Sequence, residues 1–144
     1  MSDPQTFLTT IAQEQAWNHR QMLEPVAQPR FRVWTYGAPA IVLGCSQRRF
    51  EEEARARLAP WEVVDAAGRK LVGLAQRRQR TGVLLVAGTL VAPPDWALLC
   101  HALGQSGDEA AMRRRTVSCA QLSAQAPHAQ HLARALHEAL EQGL

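Results

Sequence analysis

Lysine usage singles out one position in this chain. Lys70 is the one lysine among 144 residues, whereas arginine occurs fifteen times. An ammonium group is compact and reaches a single oxygen atom, unlike the planar fork of a guanidinium group. Lys70 is therefore a candidate for polarising a carbonyl group or for holding a phosphate. Chance survival of one surface lysine is the alternative explanation.

The strand predicted over residues 69–76 carries small side chains close to Lys70. Strand alternation divides its residues between two faces, one with Lys70, Val72, Leu74 and Gln76 and the other with Leu71, Gly73 and Ala75. A strand face with so little side chain lets a ligand or another backbone approach closely. The alternative is that Gly73 and Ala75 pack beneath a helix.

The rest of the sequence predicts the elements that must position this strand. Hydrophobic periodicity and the placement of Pro and Gly predict helices over 7–23, 48–58, 95–103, 109–115 and 127–142. Strands are predicted over 30–34, 40–43, 61–65, 69–76 and 83–91, with a hairpin over 61–76 and the last strand buried on both faces. This order predicts an α+β fold with a mixed, largely antiparallel sheet and flanking helices, in a single domain over 1–144.

Two segments of the chain resemble the lipoate–protein ligase family, which includes octanoyl- and biotinyl-transferring enzymes. Residues 31–47 form an aromatic strand, a proline turn and an apolar strand that ends in Gly-x-x-Gln. Residues 68–78, followed by 82–90, are the more specific segment, because the lysine, the small residues, the paired arginines and a Gly-Thr pair fall in the family's register. The resemblance implies a shortened biotin/lipoate ligase-like catalytic domain.

The resemblance also implies an activity. Family ligases activate lipoate or octanoate with ATP and Mg to an acyl-adenylate and pass the acyl group to a lysine of a lipoyl-acceptor domain. Octanoyltransferase relatives move the acyl group between carriers through a cysteine. By this resemblance Lys70 is the catalytic residue and contacts the acyl carbonyl and the adenylate phosphate. The implied substrate-binding residues are Gly73, Ala75, Gln76, Gly88 and Thr89.

The family's central Gly-rich block is missing from this sequence. Only thirteen residues separate Gln47 from Trp61, and the chain contains no Gly-Gly pair. A nest of backbone N–H groups for phosphates is therefore not predicted. Either an internal segment has been lost from a ligase sequence, or the protein is a short, degenerate relative. The second interpretation predicts a non-catalytic α+β partner subunit that pairs the exposed edge of its 83–91 strand with another chain.

Composition argues against several other classes of protein. A net charge of +3, with little aromatic interleaving of its basic stretch, argues against nucleic-acid binding. Residues 83–92, the longest apolar stretch, are too few to cross a bilayer, and the N-terminal residues lack a signal-like apolar core. A cytoplasmic protein without membrane attachment is therefore expected. The spacing of three cysteines and of His128 and His131 predicts no metal site.

Overall fold

The structure, a computed structural model, describes residues 7–38, 62–125 and 127–143 of the chain. Its strands are β1 (Leu8–Thr9), β2 (Thr35–Tyr36), β3 (Val63–Val64), β4 (Lys70–Gln79) and β5 (Gly82–Thr89). Its helices are α1 (Ile11–Gln21), α2 (Trp96–Ala102), α3 (Glu109–Arg115), α4 (Cys119–Leu122) and α5 (Ala129–Gly143), with a 3₁₀ turn at Ser106–Asp108. β1 pairs parallel with β2, and β3 pairs antiparallel with β4. The predicted α+β fold is confirmed.

The described residues divide into two compact units. The first contains residues 7–38, 76–84 and 128–143, and the second contains 62–75 and 85–127 apart from residue 126. The turn end of the β4–β5 hairpin thus belongs to the first unit and its open end to the second. The single domain expected over 1–144 stays a prediction.

Helix α1 begins at a capping box. The Thr10 side chain accepts a hydrogen bond from the Gln13 N–H (3.2 Å), and the Gln13 side chain accepts one from the Thr10 N–H (3.0 Å). These bonds satisfy two N–H groups that the first turn leaves without a helical partner. The helix therefore starts after Thr10 rather than at the predicted Phe7. The Phe7 carbonyl instead accepts a bond from the Thr35 N–H (2.7 Å).

Helix α5 packs in the first unit through a small aromatic and polar cluster. Phe7 is buried, and its ring centroid lies 5.7 Å from that of His137 on α5. The Phe31 ring lies 5.2 Å from the same imidazole. The side-chain amide of Gln130, in the first turn of α5, donates a hydrogen bond to the Thr35 hydroxyl (2.7 Å). These contacts hold the predicted C-terminal amphipathic helix against β2 and the buried Phe7.

A buried carboxylate joins α1 to β2. Glu14 is buried and accepts hydrogen bonds from the Tyr36 hydroxyl and from the Asn18 amide. Partial burial raises the pKa of Tyr36 above its ordinary value, and the hydrogen bond and negative charge of Glu14 act in the same direction. The strand predicted at 30–34 is displaced to β2 because this bond and the parallel pairing with β1 form at Thr35 and Tyr36.

The hairpin predicted over 61–76 forms between β3 and β4. In its turn, the Asp65 carboxylate accepts hydrogen bonds from the N–H groups of Ala67 (3.0 Å) and Arg69 (2.8 Å). Gly68 has φ +75°, a conformation that favours glycine because in other residues the Cβ would crowd the residue's own backbone. The Arg69 guanidinium also pairs with Asp65 (2.7 Å). Hydrogen bonding from Arg69 lowers the pKa of Asp65 despite its partial desolvation.

Strand β5 is exposed where the sequence predicts burial. Val83 and Leu85 on this strand are 60% and 61% exposed. A strand buried on both faces needs a covering layer on each side, and no described element covers these two side chains. The prediction of double-sided burial is therefore wrong. In the order β3–β4–β5 this strand is also terminal, so within the described ranges one of its edges lacks a strand partner, as predicted.

The helices after β5 follow local sequence signals. The Asp95 side chain accepts a hydrogen bond from the Leu98 N–H (3.0 Å) and so caps α2. Helix α3 has the predicted bounds, and α5 covers most of the predicted 127–142 segment. The sequence does not predict helix α4; the Ser118 N–H at its start donates to the Gln121 side chain (2.9 Å). The strand predicted at 40–43 and the helix predicted at 48–58 lie outside the described residues.

Candidate functional site

Lys70 stands at a bulge at the start of β4. Val63 pairs with Val72, whereas Val64 pairs with Lys70, so β4 advances two residues while β3 advances one. Such an extra residue re-aims the side chains beside it. The Lys70 side chain lies on the side to which a Cβ of Gly73 would point. The expectation that regular alternation separates Lys70 from the Gly73 face is therefore wrong, because the bulge interrupts the alternation.

Gly73 provides the space that the lysine side chain occupies. A Cβ added at Gly73 would lie 3.0 Å from Lys70 Cε and 3.3 Å from Lys70 Nζ. Carbon atoms in optimal contact are about 3.5–4.0 Å apart, so an alanine would press on the lysine. The requirement for glycine here is one of space, since the positive φ angles belong to other glycines. The structure thus brings together Lys70 and Gly73, two of the predicted site residues.

The Lys70 ammonium forms an ion pair with Glu62. The Glu62 side chain is 4% exposed, whereas the Lys70 side chain is 33% exposed. Glu62 Oε1 also lies 4.0 Å from the Cβ position of Gly73. The second carboxylate oxygen, Oε2, is buried and has no hydrogen-bond partner among the described residues. A buried acceptor without a partner costs about 1–3 kcal/mol, so this oxygen requires an explanation.

Sequence reasoning did not single out Glu62. The available signal was an acidic residue beside the apolar Val63-Val64 pair, in a hairpin whose other strand begins with the chain's one lysine. A buried carboxylate in such a position needs a cation across the hairpin. Lys70 supplies that cation.

The backbone at Lys70 is fixed from a distant part of the chain. Lys70 forms an isolated parallel bridge with Thr116, and its carbonyl accepts a hydrogen bond from the Val117 N–H (2.9 Å). Val117 and Ser118 are the most deeply buried side chains of the described residues. The lysine backbone is therefore held against a buried segment, which limits the positions that its ammonium can reach.

Gly88 is a second position without a side chain, on the neighbouring strand β5. Arg80 and Thr81 form the hairpin turn, and at the open end the Leu90 N–H donates to the Leu71 carbonyl (3.1 Å). Counting residue pairs from the turn, or from the Leu71–Leu90 pair at the open end, places Gly73 opposite Gly88. A Cβ added at Gly88 would meet no described atom within 4 Å. We call Gly73, Ala75 and Gly88 the bare strip; the exposed Ala75 shares its face by alternation.

Two predicted site residues are not brought to Lys70 in this way. Thr89 follows Gly88 and is half-buried, and alternation places its side chain on the opposite face of β5. Gln76 belongs to the first unit, and its side-chain oxygen accepts a hydrogen bond from Arg78 (3.2 Å). The roles of both residues stay predictions.

A small cleft of about 160 Å³ lies elsewhere in the second unit. It is lined by Pro93, Trp96, Arg113, Thr116 and Gln121. Pockets that enclose small-molecule ligands usually measure about 300–1,000 Å³. None of the predicted site residues lines this cleft, although Thr116 also bridges to the Lys70 backbone.

Other chemical groupings are absent from the described parts of the chain. Among them, no three His, Cys, Asp or Glu side chains are placed to hold a metal ion. The rings of His128 and His131 lie 5.5 Å apart, in a tilted arrangement. Across the same residues, no helix combines the length and the apolar character needed to cross a bilayer.

Comparison with known proteins gives no relative. No protein-family model, curated protein or solved structure matches this chain. The functional interpretation therefore depends on the geometry around Lys70 and on the resemblance of its surrounding sequence.

Proposed function

We propose that this chain is a lipoate–protein ligase-like protein that binds lipoate or octanoate at Lys70. The observation that carries the proposal is the Lys70 ammonium lying across Gly73, beside the bare strip. The sequence resemblance independently assigns the acyl group to the same lysine and the same glycines. A cytoplasmic location, a lipoyl-acceptor domain as the recipient of the acyl group and acyl-adenylate chemistry belong to this proposal.

The chemistry of the strip suits an acyl chain with an oxygen-bearing head. An ammonium group stabilises negative charge that develops on a carbonyl or phosphate oxygen. Lys70 is partly exposed, so a ligand oxygen can reach it. Gly88, where an added Cβ would meet no described atom within 4 Å, leaves room for a hydrocarbon chain to lie on the strand backbone, and burial contributes about 0.8 kcal/mol per methylene group.

Magnesium and ATP are expected from the resemblance alone. The described residues do not fit them, because they contain no cluster of three metal-binding side chains and the sequence has no Gly-Gly pair for a phosphate loop. We therefore derive no step through a bound nucleotide. The proposal concerns the acyl group and its contact with Lys70.

Calorimetric titration of lipoate and of octanoate, the proposed ligands, tests the proposal. We expect Lys70→Ala to abolish binding and Lys70→Arg to weaken it by about tenfold or more, because a planar fork cannot replace a compact ammonium. Arg134→Ala is the control, since it removes one positive charge from an exposed position on α5. Unchanged affinity in Lys70→Ala would reject the assigned role.

A second candidate function is that of a non-catalytic partner subunit. The observation that favours it is the terminal position of β5, with Val83 and Leu85 exposed. An exposed apolar edge strand is a template for pairing with another chain. Sedimentation velocity over a range of concentrations tests self-pairing, with Leu85→Lys as the variant expected to abolish it. Co-purification with a protein that bears the Gly-rich phosphate loop would support a heteromeric pair, and a monomer without such a partner would count against this function.

A further inference from the structure

The cleft in the second unit is lined by side chains from three helices. They come from α2 (Trp96), α3 (Arg113) and α4 (Gln121), together with Pro93 and Thr116. The cleft measures about 160 Å³, close to the cavity of about 150 Å³ that encloses benzene in an engineered protein. A ligand with a body the size of one six-membered ring therefore matches this space.

Trp96 is buried, yet its indole N–H has no acceptor. The residue is 8% exposed, and within residues 7–38, 62–125 and 127–143 no group accepts a hydrogen bond from it. Glu62 Oε2 is the one sealed side-chain atom without a partner in those ranges, so the Trp96 nitrogen is in contact with solvent. A buried tryptophan usually finds a partner for this N–H. Since Trp96 lines the cleft, an acceptor bound there is placed to complete the bond.

Gln121 adds a second donor to the cleft. Its side-chain oxygen accepts hydrogen bonds from the Ser118 N–H (2.9 Å) and the Ser118 hydroxyl (3.1 Å). These two bonds fix the orientation of the amide, because its oxygen only accepts and its NH₂ group only donates. The Gln121 NH₂ group has no acceptor in the part of the chain that the structure describes. Its hydrogens are therefore available to a ligand.

Arg113 supplies positive charge at the same cleft. Its Nε and Nη2 atoms both bond to Glu109 Oε1 at 2.8 Å, whereas Nη1 has no acceptor among the described residues. Glu109 lowers the attraction for an anion, but the Arg113 side chain is 53% exposed, and exposed ion pairs are weak. The remaining guanidinium N–H groups can form charge-assisted bonds to a ligand oxygen.

We propose that this cleft is a binding site for a small carboxylate with a flat, ring-sized apolar body, such as benzoate. The carboxylate accepts hydrogen bonds from the Trp96 indole, the Gln121 amide and the Arg113 guanidinium, and the body lies against Pro93 and the Trp96 ring. The Thr116 hydroxyl, whose hydrogen is donated to a backbone carbonyl, can only accept and faces no donor on this ligand. The site uses none of the residues assigned to the acyl group, so the inference goes beyond the proposed function and does not depend on it.

Titration of the isotope-labelled full chain with benzoate, followed by the indole N–H resonances in heteronuclear NMR spectra, tests the site. Trp96→Phe assigns the Trp96 resonance, and Trp17 and Trp34, which belong to the first unit, are internal references. We expect the Trp96 resonance to shift saturably with a Kd of about 1 mM or lower while the two references stay in place. Benzamide has the same size without the charge, and it should bind at least about tenfold more weakly.

Two cleft variants and a matched control complete the experiment. Gln121→Glu keeps an oxygen for the Ser118 N–H, as a capping box allows, and replaces the donor by a negatively charged oxygen. Both Gln121→Glu and Arg113→Gln should weaken benzoate binding by about tenfold. Arg114→Gln removes the same charge from an exposed neighbour that does not line the cleft, and it should bind benzoate like the wild-type chain.

Each outcome decides the inference. Absence of a saturable shift of the Trp96 resonance in the wild-type chain overturns it, as does equal binding of benzoate and benzamide. Unchanged affinity in both cleft variants, or an equal loss in Arg114→Gln, also overturns it. Circular dichroism melts establish that each variant is folded, and the wild-type comparison of benzoate with benzamide decides the question if a variant is not.

Discussion

Replacing Gly73 with alanine should show whether the space beside this glycine holds the lysine in place. The added Cβ would lie 3.0 Å from Lys70 Cε, closer than an ordinary carbon contact. Lys70 can relieve the contact only by moving its end, and that end is held by Glu62. The substitution is therefore expected to weaken the Lys70–Glu62 ion pair and to leave the backbone of β4 in place.

The size of the effect follows from two opposing contributions. Alanine in a strand interior is favoured over glycine by about 0.5–1 kcal/mol, because it loses less conformational entropy on folding. Breaking a fully buried ion pair costs about 3–5 kcal/mol. Lys70 is one-third exposed, and a displacement weakens the pair without removing it. We therefore expect the displacement of Lys70 to lower the free energy of unfolding by about 1–2 kcal/mol, less than the cost of breaking a fully buried pair.

Gly88→Ala is the matched control for this prediction. It makes the same change at the facing position of β5, where the new Cβ would meet no described atom within 4 Å. Its free energy of unfolding should rise by about 0.5–1 kcal/mol. Gly73→Ala should be about 1–2 kcal/mol less stable than Gly88→Ala when both are measured by urea unfolding with far-UV circular dichroism.

A double-mutant cycle identifies the cause of the difference. In a Lys70→Ala and Glu62→Gln background the contact and the ion pair are both gone, so the two alanine variants should agree to within about 0.5 kcal/mol. If Gly73→Ala and Gly88→Ala are equally stable in the wild-type background, the steric reasoning is refuted. A difference that persists without Lys70 would attribute the effect of Gly73 to the backbone instead.

Three further predictions concern local contacts. Thr10→Ala should lower the free energy of unfolding by about 1 kcal/mol because α1 loses its capping box, whereas Thr10→Ser should retain most of it; urea titrations check this. Burial raises the pKa of the Cys100 thiol, so iodoacetamide should alkylate Cys100 far more slowly than Cys119 until urea is added, and equal rates by peptide mass mapping would contradict this. The lowered pKa of Asp65 stabilises the fold above the pKa of the unfolded carboxyl, and this contribution is lost as pH falls through the lower folded value. Asp65→Asn should therefore flatten the acidic limb of the stability–pH curve, and an unchanged limb would argue against the contribution.

Local signals predicted the elements whose determining residues are neighbours in sequence. Asp95 ahead of an apolar run predicted α2, and Gly68 after two alanines predicted the turn of the first hairpin. Helix α3 had its predicted bounds because its charges and alanines form one short periodic segment. Capping and turn chemistry depend on contacts across three or four residues, and these are visible in a sequence.

The features that sequence did not predict depend on contacts between distant segments. The face of Lys70 is set by a bulge, which arises from the register between β3 and β4. The exposure of Leu85 depends on whether another layer covers β5. The residues of β5 are as apolar as those of a strand covered on both faces, so the sequence of the strand alone does not reveal the missing layer. Glu62 became a site residue only once the hairpin brought it to Lys70. Alternation and hydrophobicity are read from one strand at a time, whereas the bulge, the covering of β5 and the Glu62–Lys70 contact depend on how separate segments pair and pack.

The support of the Lys70 backbone by Thr116 and Val117 has a consequence for biosynthesis. β5, α2 and α3 lie between these residues and Lys70 in the chain, so all of them must be synthesised before this support can form. The hairpin with its lysine leaves the ribosome first, and its contacts with Thr116 and Val117 form late because they are distant in sequence. A nascent chain that stopped before Thr116 would contain the whole lysine and glycine motif without the segment that fixes it. The ordered site therefore forms only after Thr116 and Val117 have been synthesised.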